Sequence, residues 1–330
     1  MSSFLASLDD EGLANLLQGA STGKEGFGGR TAQLAVGEAR VFCKLIPLTI
    51  LEAQPEHYKS TANLFQLPSY YQYGIGSVGF GAWRELAAHT LASEWVVSGR
   101  HDQFPLMHHW RTVQFTGFAS VESEADEYLT HAAAHGNDES SIRERLAALR
   151  ASSSYIAIFS EHFAQTSSEW LVAQLQNARP SANAAISFTE EKAREAFDFM
   201  RGENFIHFDA HLSNILTDGA RLYFADFGLA LHDSFDLTQD ERNFLTNHAE
   251  YDEARFAASM VHTICLAMPG NEGWSQKLAN LDLQAKSLPP TAIAALQKHA
   301  VTAKYMGQFA RTLINTNRRA TFSPSSEALL

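Results

Sequence analysis

The sequence predicts an α+β chain with a β-rich N-terminal part and a mainly helical C-terminal part. Two observations carry this. Runs of β-suitable residues fill the stretch from Leu13 to about Leu48. Beyond about residue 165 the apolar residues recur at helical spacing instead. The change of character falls near 160–165, which divides the chain into 1–160 and 161–330.

In order along the chain, Thr31–Val36 and Arg40–Leu48 read as strands joined by a turn at Gly37-Glu38. A glycine-dense loop, Thr22–Gly29, precedes them. Residues 49–81 are irregular, with Pro55, Pro68 and a second glycine cluster, Gly74–Gly81. Ala82–Val97 has helical periodicity, with Trp83, Leu86, Ala87, Thr90, Leu91 and Val97 mostly on one face. Phe104–Phe115 and Ser154–Phe159 are strand candidates, separated by a polar, Ala-rich excursion at Glu122–Arg150. Trp170–Gln176 and Thr189–Arg201 read as helices, Thr189 as the N-cap of the second. Ile215–Thr217 and Leu222–Ala225 form a hairpin about Asp218-Gly219. From Asp240 the chain reads as helix, interrupted near Pro269-Gly270 and Pro289-Pro290.

Composition narrows the function. The 330 residues include 37 acids and 25 bases, for a net charge of −12. Nucleic-acid binders need a basic footprint, so no nucleic-acid partner is expected. No stretch reaches the length of a membrane span, and Met1–Asp10 has no basic, apolar leader pattern. Cys43 and Cys265 sit in apolar runs without metal-ligand spacing, which reads as two buried thiols in a reducing compartment. A cytoplasmic protein without a membrane partner is the expectation.

The chemistry concentrates in His207-Phe-Asp-Ala-His-Leu-Ser-Asn214 and, twelve residues on, Asp226-Phe-Gly228. Six specified residues at fixed spacing resemble the protein-kinase-like superfamily, whose pattern is H-R-D-L-x-x-x-N followed by D-F-G. His211, two residues after Asp209, resembles aminoglycoside phosphotransferases and choline kinases, which carry histidine where protein kinases carry lysine. The resemblance spans about residues 20–265, with its specific motif in 207–228. It implies a bilobal protein-kinase-like fold using ATP and Mg²⁺, a β-rich N-lobe at 1–160 and a helical C-lobe at 161–330. In that scheme Asp209 orients the acceptor hydroxyl and accepts its proton. Asn214 and Asp226 supply hard oxygens to Mg²⁺. His211 offers positive charge to the γ-phosphate, and the His207 ring holds the loop to Asp-Phe-Gly.

The N-terminal part would hold the rest of the nucleotide site. Val41-Phe-Cys-Lys44 matches the kinase Val-Ala-Ile-Lys strand. Alternation puts Lys44 on the face opposite Val41, Cys43 and Leu45, where it can reach phosphate oxygens. Gly26, Gly28 and Gly29 lie upstream in a loop that lets backbone N–H groups approach phosphate, although Gly26-Phe-Gly-Gly is not a clean G-x-G-x-x-G. Glu85 is the expected partner of Lys44, ahead of Glu94 and Glu56. The 41-residue gap makes 49–81 an insertion. The backbone of Phe159–Phe163 would bond the adenine.

Gly74-Ile-Gly-Ser-Val-Gly79 is the rival signal, a formal dinucleotide fingerprint lacking alternating βα units around it. Either that cluster or 23–29 is the glycine loop. Histidine pairs His108-His109 and His131/His135 have no zinc arrangement around them and read as solvated.

The acceptor is expected to be a hydroxyl on a small molecule, a cationic one among the candidates. His211 points that way, as does the lack of an Ala-Pro-Glu after Asp-Phe-Gly. So do seven acids, Asp233, Asp236, Asp240, Glu241, Glu250, Asp252 and Glu253, against Arg242 and Arg255; a solvated helix face is the plainer reading of that run. Phe224-Ala-Asp-Phe-Gly-Leu-Ala leans toward a protein serine/threonine kinase, the alternative. A catalytically silent nucleotide-binding pseudokinase is the second.

Overall fold

A computed structural model describes residues 1–18, 20–26, 29–114, 140–177, 179–284 and 288–324. It is mixed α+β. Backbone contacts group it into two units: Met1–His162 with Phe227–Phe244, and Phe163–Asp226 with Leu245–Leu330. The first division lies two residues from the expected one. Residues 227–244, expected with the C-terminal part, instead group with the first unit.

The first unit is built on a five-stranded antiparallel sheet in the order β1-β2-β3-β5-β4. Its strands are β1 (Ser21–Gly26), β2 (Gly29–Val36), β3 (Ala39–Leu48), β4 (Met107–Gln114) and β5 (Ser154–Glu161). The Gly37 turn forms as expected, with φ +62°. Residues 22–26, expected as loop, pair with β2 as a strand. The expected strand character from Leu13 also fails at its start. Ser2–Ser7 (α1) and Asp10–Gln18 (α2) are helices. Leu5, Leu13 and Leu17 bury themselves against Val41, Cys43, Leu45, Ala157 and Phe159, the apolar face of the sheet. An apolar sheet face must be covered by another layer, and α1 and α2 supply it here.

The other face takes α3 (Ala82–Val97), whose bounds match the expectation. Trp83 and Leu86 pack there on Ile46, Leu48, Ile156 and Ile158. The expected apolar stripe is only half right: Val97 is 76% exposed, while Arg84, Glu85, Ala88, His89 and Ala92 are buried. This helix is enclosed on more than its sheet-facing side. The excursion yields a helix, α4 (Ser140–Arg150); 115–139, with His131 and His135, lies outside the described residues.

The second unit is mainly helical, with α5 (Ser167–Leu175), α6 (Arg179–Gly202), α8 (Tyr251–Ala267) and α11 (Pro290–Asn315) as its main members; the division after Phe244 falls within α7 (Gln239–Asn247). A capping box between Thr166 and Glu169 starts α5. Thr189 is not an N-cap. It lies mid-helix, buried, with Oγ1 bonded to the Ala185 carbonyl at 2.8 Å. The start falls ten residues earlier, where Pro180 occupies the first turn. The hairpin of β6 (Ile215–Thr217) and β7 (Leu222–Phe224) turns at Asp218, whose Oδ1 accepts the Ala220 and Arg221 N–H groups. Phe197 packs edge-on to Phe224 and Phe256 at 5.4 and 5.5 Å, joining α6, α8 and β7. Short helices α9 (Trp274–Ala279) and α10 (Leu281–Gln284) bridge to α11. No helix among the described residues is long and apolar enough to cross a membrane.

Candidate functional site

In the first unit, strand alternation places Lys44 on the α3 face of β3, opposite Thr31 on β2 and Ile158 on β5. Its Nζ lies 2.6 Å from Oε1 of Glu85, both side chains under 10% exposed. Glu94 and Glu56 are exposed. One helical turn beyond Glu85, His89 brings Nε2 within 3.9 Å of the same oxygen. Its ring stands edge-on to Phe227 at 4.8 Å.

The expected glycine loop is a hairpin: Gly26 ends β1 opposite Gly29, the first residue of β2. Gly29 has φ +125°, and a Cβ there would strike the Leu45 carbonyl oxygen, so only glycine fits. Gly28 lies outside the described residues. The rival cluster is not a βα entry. It follows a 3₁₀ turn, Ser69–Tyr73, within a unit whose sheet is wholly antiparallel. Gly74, Gly76 and Gly79 all have positive φ, and Gly81 leads into α3.

In the second unit, the chain bends sharply at Phe208, φ +62°. Both oxygens of Asp252 hold that bend, accepting the His207 N–H at 2.7 Å and the Phe208 N–H at 2.8 Å. Burial pushes the Asp252 carboxyl up to about 7, against the pull of those two donors toward the ionised form. The His207 ring accepts the Asp209 N–H on Nδ1 at 3.3 Å, which leaves Nε2–H to donate to the Ala225 carbonyl at 2.9 Å. The ring thus ties the loop to the residue before Asp226, as expected. Burial lowers its pKa.

The bend projects Asp209 into three donors. Asn214 Nδ2 reaches Oδ2 at 2.9 Å; Arg255 Nη2 and His211 Nε2 lie 3.2 and 3.4 Å from Oδ1. The Ser213 N–H donates to His211 Nδ1, so the proton sits on the nitrogen facing Asp209. Burial raises the Asp209 pKa, but the His211 hydrogen bond and the Arg255 charge outweigh it and hold the carboxyl well below the usual range. The Ala225 N–H bonds the Asn214 carbonyl at 3.0 Å, which carries Asp226 alongside the loop. Asp226 has φ +67°, a conformation few non-glycine residues adopt.

Sequence reasoning missed Arg255 and counted Asp252 only as one of a run of acids. Their spacing, i and i+3 on a helix buried on most sides, was a signal of shared direction, but nothing local said toward what. The acid run is in part the solvated face of the plainer reading, since Asp233, Asp236, Asp240 and Glu250 are exposed, and in part a set of partnered carboxylates. Glu241 pairs with buried Arg84, Asp236 accepts from Thr61, Asp252 caps the loop bend, and Glu253 pairs with Arg201. Both cysteines are buried and free, and burial raises their pKa values, that of Cys265 to about 11. His108 and His109 lie on β4; among the described residues no three His, Cys, Asp or Glu side chains form a metal cage.

This chain matches no protein-family model and no curated protein. What it can do is therefore argued from its own residues.

Proposed function

We propose that this chain is an ATP- and Mg²⁺-dependent phosphotransferase, of bilobal protein-kinase-like fold and working in the cytoplasm, that moves the γ-phosphate to a hydroxyl of a small molecule. The observation that carries this reading is the Asp209 carboxylate. It is held in one orientation by Asn214, His211 and Arg255 on a loop braced by Asp252. Such a carboxylate aims a hydroxyl rather than stripping it. That suits phosphoryl transfer, in which positioning and charge stabilisation do most of the work. The Lys44–Glu85 pair supports it from the first unit, since a lysine steadied by a carboxylate is suited to α- and β-phosphate oxygens.

Asn214 and Asp226 carry the oxygen donors that Mg²⁺ would take. Asn214 spends its amide nitrogen on Asp209, so its side-chain oxygen would be the group offered, and Asp226 would add a carboxylate; Mg²⁺ takes few protein oxygens and completes its shell with water and phosphate. When bound, the ion would neutralise phosphate charge. Asp209 would direct the acceptor oxygen and take its proton late, as the bond forms. His211 would stabilise the oxygens of the transferring group, Lys44 would hold α- and β-phosphate oxygens, and the backbone of 159–163 would bond the adenine.

Leu229, Asp236 and Glu241 are bonded to Gln72, Thr61 and Arg84 inside the first unit, which supports a small molecule over a peptide laid along that segment. Glu241 and Asp252, buried and bonded within the chain, lend no support to a cationic acceptor. A protein acceptor is the second reading, favoured by Phe224-Ala-Asp-Phe-Gly-Leu-Ala.

The test is incubation with radiolabelled ATP, a panel of amino-alcohols and aminoglycosides, and total cell protein. Label in small molecules that disappears with Asp209→Asn and Asp226→Asn is the expected result. Label only in protein bands selects the second reading. Turnover equal to wild type in both variants rejects the catalytic assignment.

A further inference from the structure

Residues 49–81 have no part in the chemistry above; part of the segment packs on α4, with Glu52 paired to Arg145, and another part reaches residues 228–241, all within the first unit. Gln72, 2% exposed, donates its amide to the Leu229 carbonyl. Gly79 comes so close to Gly228 that a Cβ would sit 2.8 Å from its carbonyl oxygen, at a φ of +78°. Thr61 Oγ1 accepts the Asp236 N–H at 2.8 Å. Arg84 donates from Nε to the Thr61 carbonyl at 2.8 Å and from Nη1 to Glu241 Oε1 at 2.9 Å, both side chains under 5% exposed. The other Glu241 oxygen accepts the Thr238 N–H at 3.0 Å.

Two features make this more than packing. Arg84 and Glu85 are neighbours on one helical turn, and they grip different partners: Glu85 takes Lys44, Arg84 takes Glu241. A shift of α3 breaks both grips together. Buried ion pairs also add little net stability over apolar contacts of the same volume, whereas they do fix orientation. The glycines add a steric condition, because the approach at Gly79 closes only without a side chain.

We propose that residues 49–81, with Arg84, form a positioning clasp that holds 228–241 in one conformation. The segment next to Asp226 is thereby ordered by the chain's own contacts and needs no activating modification. Thr61, Gln72, Arg84 and Glu241 are positioning residues. The proposal rests on the phosphotransferase reading for its effect on turnover, but not for its effect on order.

The experiment uses the full chain, with Glu241→Gln and the milder Thr61→Val, each shown folded by thermal unfolding. Amide exchange across 229–238 is measured with kcat and the KM for ATP, and wild type is assayed before and after phosphatase treatment. Expected are exchange about tenfold faster in 229–238, kcat lower by about tenfold, KM for ATP within about twofold, and wild-type activity unchanged by phosphatase. Faster exchange with unchanged kcat overturns the proposal, as does loss of wild-type activity on phosphatase treatment. Should wild type transfer no phosphate at all, the phosphotransferase reading falls, and the exchange arm alone decides the clasp: unchanged exchange in both variants overturns it.

Discussion

Nζ of Lys44 meets Oε1 of Glu85 at 2.6 Å across 41 residues of chain. The β3 alternation that buries Val41, Cys43 and Leu45 beneath α1 and α2 turns Lys44 toward α3. Of three candidate glutamates, only the one in the first turn of α3 faces the sheet. A buried pair of this kind has two readings, structural and functional, and substitution separates them.

Lys44→Met or Glu85→Gln alone leaves one charge buried and should lower stability by about 3–5 kcal/mol. The double change Lys44→Met with Glu85→Leu replaces the pair by apolar contact and should restore most of that loss. Phosphotransfer should stay at least about 100-fold down in the double variant, since the lysine proposed for the α- and β-phosphate oxygens is then missing. Denaturant unfolding alongside turnover checks both halves; recovered activity would make the pair structural only.

Asp252→Ala strips the Phe208 bend of both acceptors and strands two buried N–H groups. At about 1–3 kcal/mol per unsatisfied group, the loss should be about 2–6 kcal/mol, with turnover falling further than stability because Asp209 loses its platform. Urea unfolding and kcat measured below the unfolding range decide this.

Asp209→Asn removes the anion between Arg255 and His211 while keeping the shape. Stability should change little, because the side chain is part-exposed and its partners reach water. The rate of transfer should fall by about 100-fold or more with nucleotide binding retained, measured by calorimetry with a non-hydrolysable ATP analogue.

His207 gives a pH signature. Burial depresses its pKa in the folded chain, and its neutral ring donates to the Ala225 carbonyl. The unfolded chain therefore takes up a proton first as pH falls below about 6.5, while the folded chain resists. The contribution to stability is present above that pH and is lost on acidification toward the folded pKa, at no more than about 1.4 kcal/mol per pH unit for one proton. His207→Gln should be less stable at neutral pH and should show a shallower decline between pH 7 and 5. An unaltered slope would contradict the assignment.

The sequence by itself determined the local elements and the chemical alphabet. Strand alternation in 31–48, the helix at 82–97 and the Asp218-Gly219 hairpin all formed, because each depends on near neighbours and on turn residues with a local preference. The set His207, Asp209, His211, Asn214 and Asp226 was legible for the same reason: its members lie within twenty residues. It misplaced the start of α6, where a mid-helix threonine imitates a cap, and it took a leucine-bearing helix at 10–18 for strand.

Only the tertiary structure decided what long-range partners do. Asp252 and Arg255 serve the loop from another helix. Glu241 answers Arg84 rather than solvent, and Thr61 and Gln72, from the irregular stretch 49–81, bond Asp236 and Leu229. The physical reason is burial. A carboxylate's role is set by which donors surround it once water is removed, and those donors come from segments whose meeting no local pattern encodes.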